Sequence, residues 1–253
     1  MNTCKVRNVE LGKGTPKIIV PIVGETKEQI IDAARSFRDV KVDIVEWRVD
    51  WFENVFEAEK VTETAKELRE VLKDTPILFT FRTAKEGGEK AISAEDYVAC
   101  NKNAVDSGQI DMVDVEAFTG DEYVKEIIEY AHSHNVKVVA SNHDFDKTPA
   151  KEELVSRLRK MQELDADIPK IAVMPQNTAD VLTLLDATRT MAEEYADRPI
   201  ITMSMAGLGL ISRLSGQVFG SCATFGAVGK VSAPGQMDAV SLNQVLTSIS
   251  ENM

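Results

Sequence analysis

The chain has 253 residues, 43% of them hydrophobic, which is long enough for one large α/β barrel or two smaller domains. Its formal net charge of -12 argues against nucleic acid or an anionic membrane surface as partner, since either would select a basic face. Cys4, Cys100 and Cys222 are odd in number, far apart and outside metal-ligand spacing, so free thiols in a reducing cytoplasm are expected rather than a disulfide framework. The N-terminus carries no signal-peptide pattern, and no apolar run approaches the roughly 18 residues a membrane span needs.

Residues 1–16 alternate at Val6, Val9 and Leu11 and contain a Gly12-Lys13-Gly14 turn, which predicts a small hairpin able to plug one end of a barrel. A buried strand at 17–23 follows. Thr26, with Gln29 three residues on, opens a helix carrying Ile30, Ala33, Ala34 and Phe37 on one face. The same unit then recurs. Strand 42–48 precedes a helix with Val61, Ala65, Leu68 and Leu72, and strand 77–82 precedes one opening at Ser93. Strand 111–116 leads to a helix capped by Thr119 and Glu122, and strand 136–143 to one begun by Thr148-Pro149. Strand 168–174 leads through Asn177 into the next helix. Strand 200–205 is followed by a glycine-rich stretch with a helical turn at 211–214, a last strand at 221–225 and a helix from Ser241. Eight strand-helix units at a period of roughly thirty residues predict a single-domain (β/α)8 TIM barrel over 1–253, with a short N-terminal β-hairpin. A doubly wound sheet is disfavoured, because Val23-Gly24-Glu25-Thr26 offers no glycine-rich phosphate loop.

Active sites of such barrels sit at the C-terminal ends of the strands. Here those ends carry Glu46 and Arg48, Thr80 and Arg82, Asp114 and Glu116, Ser141-Asn142-His143, Lys170, and Met203 and Met205. Lys170 stands inside Ile168-Pro169-Lys170-Ile171-Ala172-Val173-Met174, an otherwise apolar run. A lysine at a strand edge would snorkel to water, whereas one facing an apolar pocket has its charged form disfavoured and becomes a nucleophile. Its strand face, shared with Ile168 and Ala172, points it into the barrel. His143 on the adjoining strand would serve proton transfer beside a lysine imine, which acidifies the neighbouring carbon. His132 and His134 close a helix with no third ligand evident and read as surface residues. Two loops are candidate covers: 84–89, with a mobile Gly87-Gly88 and the carboxylate of Glu86, and 229–236, with Ser232 and Gln236.

Taken together, Glu46-Trp47-Arg48-Val49-Asp50, Phe79-Thr80-Phe81-Arg82, Glu86-Gly87-Gly88, Ser141-Asn142-His143-Asp144-Phe145, Lys170-Ile171-Ala172-Val173-Met174-Pro175 and Ser232-Ala233-Pro234-Gly235-Gln236 resemble the type I 3-dehydroquinate dehydratases over nearly the whole chain. The resemblance implies a (β/α)8 barrel, usually a homodimer, working in the shikimate pathway without metal or organic cofactor. It implies that Lys170 forms an imine with the C3 ketone of 3-dehydroquinate, and that His143 removes the C2 proton and helps expel the C1 hydroxyl. Glu86 would orient His143, and Arg213 would hold the substrate carboxylate. Glu46, Arg48 and Arg82 would hold ring hydroxyls and nearby loops, Ser232 and Gln236 would close over the substrate, and Met203, Met205 and Phe225 would form apolar walls. Pro21 and Ala206 depart from residues frequent in the family. A class I aldolase acting on a sugar phosphate, supported only by Gly207-Leu208-Gly209, and a non-catalytic barrel binding a small carboxylate are the competing readings.

Overall fold

The structure, a computed structural model, describes residues 3–229 and 233–253. Strands β1 (Cys4–Val6) and β2 (Val9–Leu11) pair as an antiparallel hairpin. Its turn is Arg7-Asn8, with Arg7 in the left-handed region at φ 51°. The expected Gly12–Gly14 turn therefore links the hairpin to the barrel instead of closing it. Eight parallel strands then follow in chain order: β3 (Lys17–Ile22), β4 (Ile44–Arg48), β5 (Ile77–Thr80), β6 (Met112–Glu116), β7 (Lys137–Asp144), β8 (Ile168–Val173), β9 (Ile201–Ser204) and β10 (Ala223–Ala227). A two-residue strand β11 (Met237–Asp238), absent from the sequence reading, pairs with β10 on its outer side. The ends of the curled sheet meet where Ile200 bridges Ser221 and the Cys222 N–H donates to the Ile200 carbonyl at 2.8 Å. Neighbouring strands are consecutive except at β10–β3, as the predicted barrel requires.

The helices are α1 (Lys27–Arg35), α2 (Ala58–Leu72), α3 (Ala94–Asp106), α4 (Asp121–Ser133), α5 (Lys151–Glu163), α6 (Thr178–Thr190), α7 (Leu210–Leu214), α8 (Gly216–Phe219) and α9 (Ala239–Glu251). Among the described residues no helix is long and apolar enough to cross a membrane. Thr26, Ser93 and Asn177 accept from the N–H three residues ahead and so cap α1, α3 and α6. Two expected caps are not formed. The Thr119 hydroxyl donates to the Glu116 carbonyl and the Thr148 hydroxyl to the Met174 carbonyl, and the caps fall one and two residues later, at Gly120 for α4 and Ala150 for α5. The last helix begins at Ala239 because Asp238 accepts from the N–H groups of Val240 and Ser241.

Two apolar shells follow from the two periodicities. Helix faces such as Val61, Ala65 and Leu68 of α2 pack on the outward strand residues Val45, Trp47, Phe79 and Val113. Inward, the bottom layer is Ile19, Ile44, Leu78, Met112, Val139, Ile168, Ile201 and Ala223, and Cys4, Val6, Val9 and Leu11 of the hairpin fill it. Two residues further along the same strands, the inward positions become Glu46, Thr80, Asp114, Ser141, Lys170, Met203 and Phe225. The hairpin thus plugs the end opposite this polar layer. Leu11 has 0% exposure, so Leu11→Ala should cost about 2–5 kcal/mol in urea denaturation while kcat/KM stays near the parent value.

Candidate active site

Strand alternation brings the charged ends of β4 to β8 to one mouth, where Glu46, Arg48, Arg82, Glu86, His143, Lys170, Met203, Met205, Arg213, Phe225 and Gln236 line a single cavity. Of the twelve site residues expected from sequence, only Ser232 is absent from that lining, because it lies outside the described residues. Gly87, Phe145, Ala172 and Ala233 join it without having been anticipated.

Lys170 is almost fully buried and points inward, as its strand face required. Its surroundings are not simply apolar. Nζ donates to Asp114 Oδ2 at 3.0 Å, stands 3.9 Å from Glu46 Oε1 and lies 4.8 Å from the centroid of the Phe225 ring. Asp114 is the residue that sequence reasoning placed at the rim but did not assign to the site. It also accepts from Arg82 Nη2 at 2.7 Å and Ser141 Oγ at 2.6 Å. Burial alone would raise its pKa, but Arg82 and Lys170 outweigh that and hold the carboxyl at about 2.

Arg82 also donates to Glu116 Oε1 and Ser141 Oγ, each at 3.0 Å, and lies 3.8 Å from Glu86. Its guanidinium therefore ties β5, β6 and β7 together from inside the barrel. Arg48 is gripped by both oxygens of Asp50, at 2.8 and 2.7 Å, a bidentate pair two residues along its own chain. Glu46 Oε1 accepts from the Thr80 hydroxyl at 3.0 Å.

The loop after β5 is tied down by hydrogen bonds of its own. The N–H groups of Glu86 and Gly88 both donate to the Thr83 carbonyl, and Thr83 is itself bonded to Glu116 through its N–H and hydroxyl. A Cβ on Gly88 would meet the Arg82 carbonyl oxygen at 1.9 Å, and one on Gly87, at φ 82°, would meet the Phe145 ring at 2.5 Å. Glycine at both positions is what lets the loop turn the Glu86 carboxylate inward. Glu86 Oε2 accepts from the backbone N–H and from Nδ1 of His143, both at 2.9 Å, and Oε1 accepts from Asn142 Nδ2 at 3.1 Å.

Burial, with the charges of Arg82, Lys170 and Arg48, pushes the His143 pKa well below the ordinary histidine value, so the imidazole is neutral near pH 7. An ionised Glu86 only accepts, so Nδ1 carries the hydrogen and Nε2 is left as a base. Burial pushes Glu86 up to about 7, Arg82 opposes the rise, and Glu116 adds to it.

Arg213 is buried on α7 beside the cavity. Its Nη1 meets Met203 Sδ at 3.5 Å, Nη2 donates to the Pro234 carbonyl at 3.1 Å, and Nε has no partner. Burial pushes its pKa down to about 10, and among the described residues no carboxylate pairs with it. Ala206, where the family resemblance leads one to expect glycine or serine, adopts φ 56°, a left-handed conformation that costs a non-glycine residue roughly 1–2 kcal/mol. Among the described residues no three His, Cys, Asp or Glu side chains are grouped to hold a metal. His132 bonds Asp167 at 2.8 Å and His134 lies against Tyr130, both away from the mouth.

A parallel barrel with a buried lysine, an oriented neutral histidine and an uncompensated arginine at its C-terminal mouth has the make-up of a TIM-barrel enzyme. The model of the type I 3-dehydroquinase family matches residues 18–253. The 3-dehydroquinate dehydratase of Salmonella agona (strain SL483) is 61% identical over 247 residues, covering 98% of each chain. The structure of the type I 3-dehydroquinate dehydratase from Clostridium difficile, solved with covalent modified comenic acid, is 54% identical with a TM-score of 0.97 and covers 100% of this chain and 99% of that one. The 3-dehydroquinate dehydratase from Enterococcus faecalis is 46% identical with a TM-score of 0.90, covering 96% and 98%. The chain belongs to the type I 3-dehydroquinase family. It is a dehydratase, and the aldolase and non-catalytic readings fall away.

The Asp114 network has a measurable signature. A carboxyl held at about 2 contributes stability above its unfolded value of 3.8 and loses it as pH falls toward 2, about 2 kcal/mol in all. Asp114→Asn should therefore unfold about 3–5 kcal/mol more easily in urea at pH 7, and its deficit relative to the parent should shrink as pH falls from 4 toward 2.

Proposed function

We propose that the protein converts 3-dehydroquinate to 3-dehydroshikimate through an imine on Lys170, within the shikimate pathway. The observation that carries this reading is the meeting, in one cavity, of the Lys170 amine, the Glu86-oriented His143 and Arg213, a cation with no carboxylate partner among the described residues. The covalently modified ligand in the Clostridium difficile relative supports a covalent intermediate.

The Lys170 amine adds to the C3 ketone and water leaves, giving a protonated imine whose positive nitrogen draws electrons from the ring. Asp114 pairs with the nitrogen. His143 Nε2 takes the C2 proton, and the electron pair left behind forms an enamine. That pair returns as the C1 hydroxyl departs, taking the proton from His143 and leaving as water. Hydrolysis of the imine then frees the product and restores the lysine. Arg213 binds the substrate carboxylate, which completes its buried charge. Glu46 and Arg48 hold ring hydroxyls, Arg82 keeps the carboxylates around them in place, and Met203, Met205 and Phe225 wall the ring. Ser232 and Gln236 close over the bound substrate. No metal or organic cofactor takes part, because the protonated imine is the electron sink. The 253 residues act as one domain. Exposed Leu182, Leu208, Ile211 and Val218, on or beside α6 to α8, support a homodimer, and three free cysteines support a cytoplasmic setting.

Borohydride reduction in the presence of 3-dehydroquinate should add the mass of the reduced adduct to the peptide containing Lys170. Adduct on another lysine, or none, defeats the mechanism. Lys170→Ala should abolish trapping and turnover. His143→Ala should lower kcat by about 10²–10⁴ yet still trap, and a fully active variant would force reassignment of the base. Arg213→Ala should raise KM at least about tenfold, with a sugar phosphate giving no rescue. In the parent, kcat/KM should fall as pH drops through about 7, where Glu86 takes up its proton.

A further inference from the structure

We infer that Arg157, acting through Asn142, is a positioning residue for the Glu86–His143 pair. The inference rests on the reading of His143 as the base. Asn142 lies on β7, one residue before His143, and its amide stands between two groups of opposite demand. Arg157 Nη1, from α5, donates to Asn142 Oδ1 at 2.9 Å, while Asn142 Nδ2 donates to Glu86 Oε1 at 3.1 Å. A guanidinium only donates and an ionised carboxylate only accepts. The amide therefore has one satisfied orientation, since a flip would set N–H against N–H on one side and oxygen against carboxylate on the other.

Arg157 is in turn held in place. Nε donates to Glu153 Oε1 at 2.9 Å, Asp144 Oδ2 lies 3.8 Å from Nη1, and the guanidinium carbon sits 5.9 Å from the centre of the Phe118 ring. A half-buried arginine on the outer helix layer thus reaches Glu86 through two hydrogen bonds and the base His143 through a third, and neither Asn142 nor Arg157 lines the cavity. The charges that face Glu86 are Arg82 from the end of β5, Glu116 from β6 and His143 itself, while His143 also faces Lys170 and Arg48. Against that background the Asn142 donor is a neutral bond that favours the ionised, acceptor-only Glu86 that Nδ1 of His143 requires.

The test is the acid limb of kcat/KM in the full chain, measured with 3-dehydroquinate, alongside borohydride trapping on Lys170. Arg157→Ala releases the amide and should move that limb up by about half a pH unit or more, with trapping retained because imine formation precedes proton abstraction. Arg157→Lys, which restores a donor toward Oδ1, should return the limb toward the parent, and an equal shift in that variant overturns the role given to this hydrogen bond. Asn142→Asp is nearly isosteric and keeps a partner for Arg157, but sets a carboxylate against Glu86, so its limb should move further in the same direction. An unmoved limb in Asn142→Asp, or in folded Arg157→Ala with only a lowered Tm, overturns the assignment and leaves a purely structural tie between β7 and α5. A parent that neither traps on Lys170 nor loses activity in His143→Ala would instead defeat the underlying reading of the base.

Discussion

Asp114 has no exposed surface and three donors, Lys170 Nζ, Arg82 Nη2 and Ser141 Oγ, and the rest of the mouth is arranged around it. A lone carboxylate there would lose several kcal/mol of hydration, and so would either cation. Together they fix the position of the lysine amine, and Arg82 carries the same constraint onward to Glu116 and the Thr83 loop, and so to Glu86. Removing a member leaves an unpaired buried charge, which is why the arrangement is specific even where its net contribution to stability is small.

The balance of charge around the cavity accounts for the unusual state of two groups. Among the described residues Arg48, Arg82, Lys170 and Arg213 are set against Glu46, Asp50, Asp114, Glu116 and Glu86, an excess of one carboxylate. Glu86, at the edge of this set and nearest His143, is the carboxylate whose pKa is driven upward. Arg213, by contrast, has no carboxylate partner among the described residues.

The barrel was legible in the sequence because each strand announces itself by a buried apolar run and each long helix by its apolar face. Period-two alternation from Ile168 also gave the inward direction of Lys170 without reference to any neighbour. What stayed hidden depends on contacts between residues far apart in the chain. Thr119 and Thr148 look like helix caps, but their hydroxyls go to strand-end carbonyls, a choice that no local pattern records. Gly87-Gly88 reads as flexible by composition, whereas the close approach of the Arg82 carbonyl and the Phe145 ring makes it a corner that only glycine fits. Asp114 was visible as a polar residue in an apolar strand, the one signal that marked it. Its partners lie 27, 32 and 56 residues away and appear only once the strands are side by side.

The hairpin at the foot of the barrel has a consequence for traffic. With Val6, Val9 and Leu11 filling the bottom layer, the interior is closed at its foot among the described residues, and the cavity opens at the mouth over Lys170. Substrate, product and any water released or consumed must pass through that opening in turn rather than flow through the molecule. Phe145, Ala233 and Gln236 line that cavity, so departure passes the same side chains as entry. Such a vessel empties only as fast as its rim allows, so changes at the rim act on turnover even where the chemistry beneath is untouched.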